Sequence, residues 1–214
     1  MIFIPGKTEK YTSPTQTSEL YISNNCCGAN FYQKKHIAYN NPFVWLIVPY
    51  DSMARLMRNF YSINWANITL VPSQIRENTF ILVVDNQIEL HYMHHFFDPN
   101  CSEPKFFRDP YGSHLGYDKV WEYIVDKYMS RVKTMCSICS VPKFIIHDQE
   151  WDHNTFSIND LVGVDTPFKR VFITEEKITN NYNTNLTKII SAKRTLADAA
   201  INNFYQSIDA FFKD

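Results

Sequence analysis

Cys26 follows the run Tyr21-Ile22-Ser23-Asn24-Asn25 and precedes Cys27-Gly28, a place where a short strand hands over to a helix and a thiol can become a nucleophile. Asn24 and Asn25 are good N-caps, and no proline interrupts Cys26 to Lys35. The spacing therefore predicts Cys26 in the first helical turn. Unpaired N–H groups and the helix dipole there favour an anion and lower a thiol pKa from its usual value of about 8.5. The competing reading is a buried structural cysteine, a common place for a free thiol. A cysteine nucleophile also needs a base, itself oriented by Asp, Asn or Glu. His91, His94 and His95 are candidates. On a strand His91 and His95 share one face and His94 takes the other, and the sequence leaves open which face meets Cys26. His91 with His95 lacks further ligands for a metal, so no metal or other cofactor is expected.

Two further groups of residues invite chemistry. His147-Asp148-Gln149-Glu150-Trp151-Asp152-His153 closes an apolar strand, and ligands of α/β proteins gather at the carboxyl ends of strands. The alternate carboxylates Asp148, Glu150 and Asp152 could hold a divalent ion bridging the diphosphate of a nucleotide sugar. That is a second reading, a metal-dependent glycosyltransferase, against which stands an ordinary solvated turn. Cys136-Ser-Ile-Cys139 has the spacing of half a zinc site. Both thiols fall on the apolar side of a predicted helix and no second pair of that spacing exists, so core packing is expected.

These residues must be held by alternating elements. A strand near Leu20 to Ser23 leads into the Cys26 helix. Pro42 to Pro49 reads as a buried strand, followed by a helix capped by Asp51 or Ser52 with Met53, Leu56, Met57 and Phe60 as its stripe. Phe80–Val84 and Ile88–His95 flank Asp85-Asn86-Gln87 as a hairpin. Residues 98–116, with three prolines and two glycines, read as a long loop suited to a lid or binding loop. A helix from Tyr117 to about Ser140, strands Lys143–His147 and Arg170–Thr174, and a core-packing helix from Arg194 to Phe212 complete the pattern. It predicts an α/β fold with a mixed sheet flanked by helices. Residues 1–19 are expected to be a flexible arm and residues 20–214 a single compact α/β domain, with room for a small subdomain.

Composition excludes several classes. At 214 residues, with 45% apolar and 15% aromatic side chains, the chain can bury a substantial core. A net charge of -1 gives no field for a polyanion, so nucleic acid is not an expected partner. Only five glycines occur, none arranged as a phosphate-cradling loop, which removes Walker and dinucleotide-binding readings. No apolar run reaches the roughly 18 residues of a membrane span, and the first residues lack a signal peptide's layout. Five cysteines, an odd number, point to reduced thiols and a cytoplasmic location.

The run Ile22-Ser23-Asn24-Asn25-Cys26-Cys27-Gly28 followed by Tyr39-Asn40-Asn41-Pro42 resembles the opening of a microbial family labelled exopolysaccharide biosynthesis proteins. Cys27 and Ala29 stand where that family has Trp and a second Gly. Asn25-Cys26, Pro42-Phe43-Val44-Trp45, Asp51-Ser52, His94-His95-Phe96 and Tyr128-Met129-Ser130-Arg131 are similar, in order, to motifs of proteins labelled putative papain-like cysteine peptidases. Val44 and His95 replace acidic residues of that pattern. The two resemblances cover roughly residues 20 to 175 and imply Cys26 and His94 as the catalytic pair, with Asn25 beside them. Asn24, Trp45, Asp51, Asp148, Glu150 and Asp152 are expected to contact substrate. The leading reading is an enzyme of surface-polysaccharide or glycan assembly that uses Cys26 and a histidine base for acyl transfer or hydrolysis, with a glycan or sugar-linked small molecule as its partner. The remaining reading is a non-catalytic scaffold in which the same residues build a core junction.

Overall fold

The computed structural model of the protein describes residues 15–74, 79–92, 95–98, 105–108, 115–148, 156–175, 178, 184–192 and 197–213. The first half contains β1 (Tyr21–Ser23), α1 (Cys27–Lys34), α2 (Tyr50–Asn59), β2 (Ile68–Pro72), β3 (Phe80–Val84), β4 (Ile88–Tyr92) and β5 (His95–Asp98). The second contains β6 (Lys105–Arg108), β7 (Leu115–Gly116), α3 (Tyr117–Ser137), β8 (Lys143–His147), α4 (Ile158–Val162), β9 (Arg170–Thr174), β10 (Thr187–Ser191) and α5 (Ala197–Lys213). A parallel sheet has the order β1-β8-β9-β10, and β2-β3-β4 and β5-β6-β7 form two antiparallel sheets. The α/β class, with parallel and antiparallel strands flanked by helices in one domain, is as expected.

Alternation along the strands builds two cores, one on each face of the parallel sheet. Ile22, Phe144, Ile146 and Phe172 enter one core with residues of α2, α3, α4 and one face of β2–β4. Tyr21, Ile145, Val171 and Ile173 enter the other with α1 and α5. Fully burying one Phe or Ile is worth about 1.5–3 kcal/mol. A one-residue slip would exchange the two sets between the cores, so the pattern fixes which side chains at the strand ends face α1.

Several local expectations are corrected. Pro42–Pro49 is not a strand: residues 42–45 form a turn, with Asn41 Oδ1 accepting from Phe43 N at 3.0 Å and Trp45 at a φ of 65°. The two prolines remove ladder donors at both ends, leaving one antiparallel bridge between Ile47 and His91. That bridge matters, because Val48 N also donates to Asn24 O at 2.9 Å, so residues 47–48 tie the antiparallel sheet to the parallel one. Helix α2 starts one residue before Asp51, with Pro49 at its N-cap and no side-chain cap. Proline tolerates a helix start because the N–H it lacks would be unpaired there. The expected strand Ile88–His95 divides into β4 and β5, and the expected loop 98–116 contains β6 and β7. Cys136 and Cys139 are exposed rather than in the core. Among the described side chains of α3, Ile124, Tyr128, Val132 and Met135 are buried; Cys136 lies one step of about 100° beyond Met135, and Cys139 lies past the helix end. Of the expected arm, residues 15–19 bond to the domain: Thr15 bridges Ile37, and Glu19 pairs with Lys35 and Lys143.

Candidate functional site

At the carboxyl edge of the parallel sheet the two asparagines before Cys26 do the work of backbone. Asn24, fully buried, donates from Nδ2 to His147 O at 3.0 Å and accepts from His147 N at Oδ1, also at 3.0 Å. The amide thus adds a rung between the ends of β1 and β8, and its polar atoms go to this clamp. Asn25 turns the chain into α1: its Oδ1 accepts from Cys27 N at 3.0 Å. That donor fixes the amide orientation and leaves Nδ2 facing His147, 3.4 Å from its carbonyl O and 3.5 Å from its ring Nδ1.

Cys26 is the N-cap residue of α1, already helical in backbone angle (φ -60°, ψ -15°), and its side chain makes no capping hydrogen bond. The helix start is not open in the way the sequence suggests. Cys27 N is taken by Asn25, and Gly28 N donates to Ser23 Oγ at 3.2 Å. The dipole remains and favours negative charge at Cys26. Its neighbour Cys27 is fully buried, with Sγ 2.9 Å from Ser23 Oγ, so the two adjacent thiols differ: Cys26 is half-buried and Cys27 is a packing residue. Gly28 permits this tight start, because a Cβ there would lie 2.4 Å from Ser23 Cβ.

His147 ends β8 on the α1 side of the sheet, since Ile145, two residues earlier, packs in the core with α1. The ring is buried, and burial holds its pKa below the ordinary value of 6.5, with the Asp148 charge acting in the opposite direction. It is therefore neutral at pH 7. Asp148 points to the other face, where its Oδ1 accepts from Tyr50 Oη at 2.8 Å and its Oδ2 from Thr174 Oγ1 at 2.9 Å. Residues from β8, β9 and the start of α2 are pinned together by this one buried carboxylate.

The other expected site residues sit differently. Glu150, Asp152 and His94 lie outside the described residues. Trp45 packs against the core that holds α1, and Asp51 Oδ1 accepts from Ser52 N at 2.8 Å in the first turn of α2. His91 is buried, with Nε2 2.9 Å from Glu89 Oε2 and with Nδ1 lacking a hydrogen-bond partner; this bond holds the Glu89 carboxyl below its usual range, against burial, which raises it. The sequence names His147 only within an acidic cluster and overlooks its pairing with the Asn25-Cys26 turn. Tyr50 and Thr174 are also missed. The period-two pattern of Lys143–His147 was the available signal, but it assigns a face and not the neighbouring strand.

Among the described residues no group of three or more His, Cys, Asp or Glu could hold a metal ion, and no helix is long and apolar enough to cross a membrane. Compared with known proteins, the chain matches no curated one. Residues 8–103, which carry Cys26 and end before His147, match a family described as a domain of unknown function, DUF1919.

Proposed function

We propose that the protein is a cysteine-dependent enzyme of acyl transfer or hydrolysis, with Cys26 as nucleophile and His147 as its base. The observation that carries this reading is the Asn25 side chain, bonded to Cys27 N and turned to His147, which holds a neutral imidazole against the turn bearing the half-buried thiol. Nδ1 faces the Asn25 amide donor at 3.5 Å and so carries a lone pair, which leaves that long contact to accept the Cys26 proton. In the proposed sequence the thiol proton passes to His147 Nδ1 and the Cys26 sulfur attacks an acyl carbon. The imidazolium then protonates the leaving group, and water or an acceptor hydroxyl resolves the thioester. The resemblance of the Ser23–Gly28 region makes a glycan or sugar-linked acceptor in the cytoplasm the substrate class of choice. His147 takes the role that the resemblance gives to His94.

The test follows alkylation of each thiol separately by mass spectrometry on the folded protein, as a function of pH, with wild type and His147→Gln. An activated Cys26 reacts with a midpoint well below about 8.5, and His147→Gln moves that midpoint upward. A Cys26 that reacts only on unfolding, or whose midpoint ignores His147, makes the junction structural and ends this reading.

A further inference from the structure

We propose that Cys136 and Cys139 form half of a four-thiolate zinc site that a second copy of this chain completes, joining two molecules through the ends of their α3 helices. The spacing alone is ambiguous; the exposure decides. Cysteine is among the most buried residue types, yet both of these thiols are exposed, one in the last turn of α3 and one just beyond it. The helix ends there in a turn closed by Ile138 N donating to Met135 O at 3.1 Å, with Cys136 inside that turn and Cys139 one residue beyond it. Tetrahedral zinc takes four ligands, with thiolates at about 2.3 Å, and this pair supplies two. Of the other described thiols, Cys27 is buried against Ser23 and Cys26 stands at the carboxyl edge of the sheet, so neither completes the set.

One observation favours a metal-bridged pair of chains over an idle dithiol. The described residues include only three large exposed hydrophobic side chains, Tyr61, Met129 and Val141, and two of them flank the pair. Met129 lies two helical turns before Cys136 on the same side of α3, and Val141 lies two residues after Cys139. A second copy held by zinc would cover both. Binding deprotonates the four thiols, releasing about four protons per metal to the buffer.

The experiment titrates the reduced, chelator-treated full chain with zinc chloride under nitrogen while sedimentation, zinc content and proton release are measured. A dimer with about one zinc per two chains is expected, lost in both Cys136→Ser and Cys139→Ser, whose surface positions leave the fold intact by circular dichroism. Cobalt(II) in place of zinc gives a thiolate charge-transfer band with the same stoichiometry. Zinc-loaded monomer, no binding, or a dimer indifferent to either substitution each overturns the proposal.

Discussion

His147 and Asn25 illustrate how one side chain sets the chemistry of another. The Asn25 amide has one orientation because Cys27 N–H claims its oxygen, and the imidazole beside it stays neutral because it is buried. This has a consequence for stability. As pH falls, the unfolded chain binds a proton at His147 before the folded one does, so the contribution is fully present above about pH 6.5 and is lost as pH drops through the lower folded value. Urea unfolding between about pH 8 and 5 should show wild type losing stability with acid faster than His147→Gln; parallel curves would mean the ring is not desolvated. Gly28 belongs to the same scale. The sequence did not mark it as required, and the reason it is, contact with Ser23, needed the fold.

Elements meet at Asp148. Its carboxylate receives a hydroxyl from the first residue of α2 and another from the last residue of β9. A buried acceptor deprived of one partner costs about 1–3 kcal/mol. Tyr50→Phe keeps the ring in place and removes that hydroxyl, so thermal unfolding should show a loss in this range, while a change under about 0.5 kcal/mol would show that the Thr174 bond suffices. Most helices and central strands were legible because their periodicity is strong: Phe80–Val84, Lys143–His147 and Arg170–Thr174 have the expected bounds. The hairpin turn was also legible, and Asp85 and Asn86 adopt positive φ, as a mirror-image turn requires. The segment 42–49 was misread because an apolar run between prolines suits either a buried strand or a buried turn, and only its neighbours choose.

Across the whole molecule, α5 closes the face of the sheet that carries α1, through Ile208 and Phe212 and through the ion pair of Asp209 with Lys35, while Lys213 pairs with Asp209 within the helix. Burial raises the Asp209 carboxyl, but the two ammonium groups outweigh it and leave its pKa below the ordinary value. The stabilising contribution is thus present above about pH 4 and is lost as pH falls through the folded value. Asp209→Asn should lower the unfolding midpoint at pH 7 and make little difference near pH 3, as denaturant titrations at the two pH values will show; an equal deficit at both would assign the effect to packing. The sequence by itself determined the class of fold, the strand–helix junction that presents Cys26, and the apolar stripe of α2 with the central strands, because these depend on local period. Tertiary structure alone decided that His147, distant in the chain, stands beside Asn25, that Asp148 is enclosed by hydroxyls, and that Cys136 and Cys139 face solvent. The pairing order β1-β8 is a long-range choice made by both faces of the sheet together, and no short window of residues encodes it.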